Sequence, residues 1–142
     1  MATKAERKKT MDRVMDEIIG QGKLDVVDEV YRPTAVWHGP GIELRGRQGF
    51  KQLYGDFRKA FPGRSYEYEL MLFTEDSIIG RWVLRGVQQG AIMGVAPTGK
   101  AVRTTGITIH RFEGGQIAEE WEEFDGLGML RQLGALPSGQ EL

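Results

Sequence analysis

The stretch KAVRTTGITIHRFEGGQIAEEWEEFD, residues 100–125, decides the fold. Apolar and polar residues alternate along both of its arms, the period of a strand with one covered face. Glu113-Gly114-Gly115 lies between the arms and reads as a hairpin turn. A three-residue loop with glycine in the left-handed position fits it. That loop pairs Phe112 with Gln116, His110 with Ala118, Thr108 with Glu120 and Gly106 with Glu122. One face then carries Gly106, Thr108, His110, Phe112, Ala118, Glu120, Glu122 and Phe124. The other carries Ile107, Ile109, Ile117, Glu119, Trp121, Glu123 and Asp125. A two-residue loop shifts the pairing and exchanges the neighbours.

Five of the nine residues in Ile117–Asp125 are acidic. A solvated surface strand reads that way, and so does a strand that carries a carboxylate base into a pocket. On the first face, Glu120 and Glu122 adjoin the small residues Gly106, Thr108 and Ala118, which leave room for a ligand. A glutamate with its ordinary pKa of ~4.3 is a weak base. Desolvation raises that pKa because the charged form loses hydration, and a second carboxylate two residues away pushes the same way. His110 shares this face but lies near the hairpin tip, where partial exposure is expected.

Upstream, SYEYELMLF (residues 65–73) and SIIGRWVLRGVQQG (residues 77–90) give two more strands, with Tyr66, Tyr68, Leu70 and Leu72 expected on one face. Arg81 and Arg85 are placed either to pair with Glu67 and Glu69 or to hold a ligand. The N-terminal half has the helical period instead. Met11, Val14, Met15, Ile18 and Ile19 make one face, stopped by Gly20 and Gly22. A second short helix is expected over Leu24 to Tyr31, with Pro33 ending it. TAVWH (residues 34–38) is a short strand broken at Gly39-Pro40-Gly41. Phe50, Leu53, Tyr54, Phe57 and Phe61 form an amphipathic helix closed by Pro62-Gly63. The terminal GLGMLRQLGAL (residues 126–136) is a helix or turn that plugs one end of the sheet. Helices first and a long antiparallel sheet afterwards define an α+β pattern, expected as a single domain over residues 1–142. A sheet bent around helices leaves a cone with an apolar pocket, lined by Trp37, Tyr54, Phe57, Trp82, Met93 and Phe124, with His38 at its mouth.

Composition narrows the function. The chain has no cysteine, which excludes disulfides and thiolate metal sites. A net charge of -1 argues against nucleic acid as a partner, and the short basic cluster at residues 4–9 is a solvated helix start. No apolar run approaches the ~20 residues that span a bilayer, and a cytoplasmic location is expected. His38 and His110 are too far apart in sequence to suggest a metal site, and neither a phosphate loop nor a serine nucleophile motif is present.

The segment from Gly86 onward resembles the SnoaL-like polyketide cyclase family, also labelled ester cyclases. The residues that carry the resemblance are G..QG...G..PTGK, the R...GGQI.E.W...D hairpin and the LG.LRQLG tail, with looser agreement in AVWHGPG, L.GR.GFKQ and F..AFPG. It covers residues from about 10 to 137. The resemblance implies a cone similar to the nuclear-transport-factor-2 superfamily, with N-terminal helices packed in the concave face of a curved, mainly antiparallel sheet. Described members close a polyketide ring by a cofactor-free intramolecular aldol reaction, with a carboxylate moving the protons. Glu122, just after Trp121, matches that carboxylate. Where many relatives have His-Trp-Asp this chain has Glu120-Trp121-Glu122, a base one methylene longer. The assisting histidine of the described cyclases corresponds to Thr108, and another polar pocket position to Gln88.

The expected function is therefore an acid/base enzyme, without metal or organic cofactor, acting on a small apolar carbonyl compound. Glu122 is its catalytic carboxylate. Trp37, His38, Tyr54, Phe57, Trp82, Gln88, Met93, Thr108, Glu120 and Phe124 are its substrate-binding residues. His38, Gln88 or Thr108 supplies a hydrogen bond to the developing enolate oxygen. A non-catalytic binder of a small apolar ligand is the alternative, as is an isomerase or epoxide hydrolase on the same scaffold. A homodimer through the outer sheet face is expected, because Ile107, Ile109, Ile117 and Trp121 make that face too apolar to stay wet.

Overall fold

A computed structural model describes residues 2–136, so the single domain expected over residues 1–142 extends outside the described residues at both ends. Helix α1 (Lys4–Arg13) starts at Thr3, whose hydroxyl accepts the Glu6 amide while the Glu6 carboxylate accepts the Thr3 amide. This reciprocal pair satisfies two donors that a helix start leaves orphaned. Arg7 departs from the solvated cluster expected at residues 4–9: it is buried and donates Nη1–H to the Ser77 carbonyl at 3.1 Å. The chain continues as a π-helical stretch (Val14–Gly20), and Met11, Val14 and Ile18 enter the core.

A 3-10 turn (Leu24–Val26) and α2 (Val27–Val30) follow. The helix ends one residue before Tyr31, which opens β1 (Tyr31–Gly39). Pro33 therefore lies inside a strand instead of terminating a helix. Its position is tolerated because Arg32–Ala35 has no ladder partner on either side. Strand β2 (Ile42–Arg45), not expected from the sequence, pairs with β1, and α3 (Gly46–Ala60) leads to the turn at Pro62-Gly63. Strands β3 (Ser65–Phe73), β4 (Ser77–Val87), β5 (Ala101–Glu113) and β6 (Gln116–Phe124) complete a six-stranded sheet of order β2-β1-β6-β5-β4-β3. Only the β1–β6 pair is parallel. The helices pack in the concave face of this curved sheet, and Met129 of α4 (Gly126–Gln132) is buried at one end.

Two irregularities decide which side chains face inward. The β5–β6 turn has two residues, Gly114 and Gly115, and pairs Glu113 with Gln116 and Phe112 with Ile117. The three-residue loop expected from the sequence is thus replaced by the shorter one, with Gly114 at φ 61°. A bulge then places two residues, Ala118 and Glu119, where the facing strand advances by one. Its effect is to reset the parity. Ile117 turns inward and is fully buried, against the expectation that it lies on the outer face, yet Glu120, Glu122 and Phe124 keep the inner face. A second shift in β3, at Glu69, turns Leu70 and Leu72 outward, so they do not share a face with Tyr66 and Tyr68. On the outer side Arg81 pairs with Glu69, and Arg85 with Glu67 at 3.7 Å.

Candidate functional site

The concave face holds a cavity in two parts. The inner part measures about 50 Å³ and is walled by α3, β3, β5 and β6. The outer part measures about 670 Å³, within the range of small-molecule sites, and opens past Ile42, Gln52, Lys59 and the loop that follows β4. Trp37, Leu53, Phe57 and Glu122 line both parts, which puts Glu122 where the two spaces meet.

The polar groups around Glu120 and Glu122 are linked to one another. Thr108 stands opposite Glu122 in the ladder and donates its hydroxyl to Glu122 Oε2 at 2.9 Å. The Thr108 oxygen accepts Trp82 Nε1–H at 3.0 Å. Burial pushes the Glu122 carboxyl up to about 7, and Glu120 adds like-charge repulsion; the Thr108 hydrogen bond works in the opposite direction. Glu120 stands opposite His110 and is almost fully buried. Its Oε1 accepts Tyr31 O–H at 2.6 Å and lies 2.9 Å from His110 Nδ1. The Tyr54 and Tyr31 hydroxyls lie 2.5 Å apart, and the Tyr68 hydroxyl lies 3.0 Å from His110 Nε2. Burial, with the Glu120 carboxylate next, holds the Tyr31, Tyr54 and Tyr68 hydroxyls well above the usual tyrosine range.

Bare backbone makes room for two of these rings. The Tyr68 ring lies over the α-carbon of Gly80, and the Trp82 ring over that of Gly106, where a β-carbon would collide. Two further lining residues, Tyr66 and Arg64, add a ring stacked on Trp82 and a guanidinium that donates to the Ile19 carbonyl at 2.9 Å.

The residues singled out in the sequence divide into three groups. Trp37, Tyr54, Phe57, Trp82, Thr108, Glu120 and Glu122 line the inner cavity together, while Met93 and Phe124 line the outer part. Met93 stands there with a backbone φ of 51°, the left-handed region. His38 is elsewhere. Strand alternation turns it away from Trp37 onto the convex side, where it stacks on Trp121 and contacts Glu43 and Glu119 at 3.1 and 2.6 Å. That contact chiefly, helped by Arg111, holds Glu119 below the usual carboxylate range. Gln88 is fully buried but lies outside both cavity linings. Its amide nitrogen donates to the Gly90, Val95 and Ala96 carbonyls and its oxygen accepts from Thr98, so it ties down the loop after β4.

His110 and the three inner tyrosines Tyr31, Tyr66 and Tyr68 were not among the site residues expected. Partial exposure was expected of His110, but it is 2% exposed. The signal that could have placed it is its position two residues from Thr108 on one strand face, next to a carboxylate strand. Among the described residues, no group of three or more His, Asp or Glu is arranged to hold a metal ion, and no helix is long and apolar enough to cross a membrane.

The fold and its cavity define a cone of the nuclear-transport-factor-2-like kind. A family model described as SnoaL-like polyketide cyclase matches residues 9–133, and the chain belongs to that family. No curated protein sequence matches it. Solved structures extend the likeness over nearly the whole chain. TsrD from Streptomyces laurentii is 26% identical, with a TM-score of 0.86 over 96% of this chain and 100% of its own. AclR from Streptomyces galilaeus, described as a candidate hydroxylase, is 27% identical, with a TM-score of 0.81 over 95% and 100%. IdmH from Streptomyces antibioticus, described as a candidate polyketide cyclase, is 29% identical, with a TM-score of 0.76 over 90% and 98%. Relatives of one fold are thus assigned different chemistries, and the reaction has to be argued from the site.

Proposed function

We propose that the chain is an acid/base enzyme acting on a small apolar carbonyl compound, with Glu122 as its base and neither metal nor organic cofactor needed for the proton transfers. The observation that carries this reading is the position of Glu122 at the junction of the two cavity spaces, with its carboxyl pushed up to about 7 by burial. A base poised near neutrality takes a proton from carbon next to a carbonyl and can return it.

In the leading version, an intramolecular aldol cyclisation, Glu122 removes a proton from the carbon beside one carbonyl. The enolate carbon then bonds to a second carbonyl carbon of the same molecule, and the resulting alkoxide takes the proton back from Glu122. Trp37, Phe57 and Trp82 give the chain of the substrate apolar walls to fold against. Membership of the SnoaL-like polyketide cyclase family and the likeness to IdmH support this version. On the convex side a second copy of the chain is proposed to cover Leu70, Leu72, Ile107, Ile109 and Trp121, which are all more than a third exposed.

The test is a carbon-13 titration of the Glu122 carboxyl, assigned with Glu122→Gln, together with turnover of a panel of diketones. A midpoint near 7 and loss of turnover with retained ligand binding support the base. A midpoint near ~4.3, or turnover that survives Glu122→Gln, removes Glu122 from the mechanism and leaves a binding protein.

A further inference from the structure

A carbon acid gives up its proton only as fast as the oxygen of the incipient enolate is stabilised, so a base in an apolar cavity needs a hydrogen-bond donor facing it. The three donors expected from the sequence are all engaged elsewhere. His38 is on the convex side, Gln88 ties down a loop, and the Thr108 hydrogen goes to Glu122 itself.

One hydroxyl of the inner cavity, that of Tyr68, is held by a histidine. Tyr31 donates to Glu120. Tyr54 is left to donate to Tyr31, whose own hydrogen is taken. Tyr68 has a different partner, His110 Nε2, while His110 Nδ1 faces the Glu120 carboxylate. A carboxylate only accepts, so Nδ1 carries a hydrogen. With a neutral ring, Nε2 accepts the Tyr68 hydrogen. With a protonated ring, Nε2–H donates to the Tyr68 oxygen and the phenolic hydrogen is free for the cavity. In neither form is the Tyr68 hydrogen pinned to a carboxylate or to a tyrosine that is; the other such ring of the cavity, Tyr66, stacks on Trp82, and of the two it is Tyr68 that His110 orients.

We propose that Tyr68 is the hydrogen-bond donor to the ligand's carbonyl oxygen, and that His110 and Glu120 are positioning residues that act through it. The assignment rests on the acid/base reading of Glu122. When Glu122 takes the carbon-bound proton, the electron pair of that bond moves to the carbonyl oxygen, and the Tyr68 O–H holds the enolate without leaving its own oxygen. Protonated Glu122 then returns the proton to carbon. The substrate class follows: an apolar ketone whose carbonyl oxygen reaches the Tyr68–His110 end of the cavity while its acidic carbon faces Glu122.

The probes are β-tetralone, an apolar ketone with one readily exchanged methylene, and β-naphthol, which has the shape of its enol. Exchange of the β-tetralone methylene protons in deuterium oxide is followed by proton NMR, and β-naphthol binding by fluorescence. Tyr68→Phe keeps the ring packed on Gly80 and removes only the hydroxyl. The expected result is a fall in kcat of about a hundred- to a thousandfold with little change in KM, and β-naphthol binding weakened at least about tenfold. His110→Asn should give the same split between kcat and KM in weaker form, which a purely structural role would not produce. If Glu122→Gln abolishes exchange while Tyr68→Phe and His110→Asn leave exchange and β-naphthol binding intact, the donor assignment is wrong and the base survives. If Glu122→Gln leaves exchange intact, the base itself is wrong. A wild-type protein that neither exchanges β-tetralone nor binds β-naphthol overturns the donor assignment as well.

Discussion

Thr108 and Glu122 face each other across the β5–β6 ladder, and the threonine hydroxyl is the link between the Trp82 indole and the Glu122 carboxylate. The order of donation is fixed: Trp82 Nε1–H to Thr108, Thr108 O–H to Glu122. A donated hydrogen bond favours the charged carboxylate, so Thr108 restrains the rise that burial imposes on Glu122.

Thr108→Val should therefore raise the titration midpoint of Glu122 above about 7. It also leaves the Trp82 indole without an acceptor, at a cost of about 1–3 kcal/mol. Carbon-13 titration and urea denaturation of the same variant check both effects. An unchanged midpoint would mean that the hydroxyl contributes nothing to holding the carboxylate.

Glu122→Gln should be more stable than the parent above neutrality. The folded carboxyl is raised from 4.5 to about 7, so the folded state binds more protons than the unfolded state between those values. Stability from this group is thus fully present below ~4.5 and is lost as pH rises through about 7. The gain from removing the charge reaches at most roughly 3 kcal/mol at pH 8 and vanishes near pH 4. Denaturation midpoints measured across that range would show a constant difference if the carboxylate were hydrated.

Glu119 and Glu120 are adjacent in sequence and should respond very differently to alanine. Glu120 is almost fully buried and serves Tyr31 and His110, so its loss strands two buried partners and costs about 3 kcal/mol or more. Glu119 holds His38 and Arg111 on the convex side and is a quarter exposed, so Glu119→Ala costs about 1 kcal/mol at most. Equal losses in a thermal or chemical melt would contradict the face assignment.

Ile107→Lys places a charge in the middle of the exposed apolar patch without touching the cavity. If a second copy covers this face, the variant should sediment as a monomer at concentrations where the parent is a dimer, with turnover per chain retained. A parent that sediments as a monomer at micromolar concentration would end the dimer proposal.

The strands and the main helices were legible because alternation and helical period are properties of contiguous residues. The inward set on β6 was legible for the same reason, and Glu122 with it. What resisted was anything fixed by one residue more or less. The two-residue Gly114-Gly115 turn stood only as the alternative and the bulge at Ala118 was missed; their shifts cancel for Glu120 and Glu122 but not for Ile117. The partners shifted too: Glu122 faces Thr108 and not Gly106, and Glu120 faces His110 and not Thr108. Tyr31 was hidden because the helix expected over Leu24 to Tyr31 masked the start of a strand. The contacts of His38 and Gln88 depend on distant segments, and their local sequence carries no sign of them.

The hairpin behaves like a reading frame. Its inner and outer faces both carry glutamates, and the one extra residue that the bulge absorbs decides which pair faces inward. Straightening the bulge with Ala118 retained would leave every acidic residue in the chain, yet Glu119 and Glu123 would take the inner positions and Glu120 and Glu122 would move to the convex side. Loss of the bulge is thus equivalent to exchanging the carboxylates of the cavity, and deleting Ala118 would be the compensating change, because Glu119 then still meets Arg111 and Glu120 still meets His110. Among relatives of this chain, the number of residues from the turn to the tryptophan, counted together with any bulge between them, is as informative about the chemistry of the cavity as the identity of the acid itself.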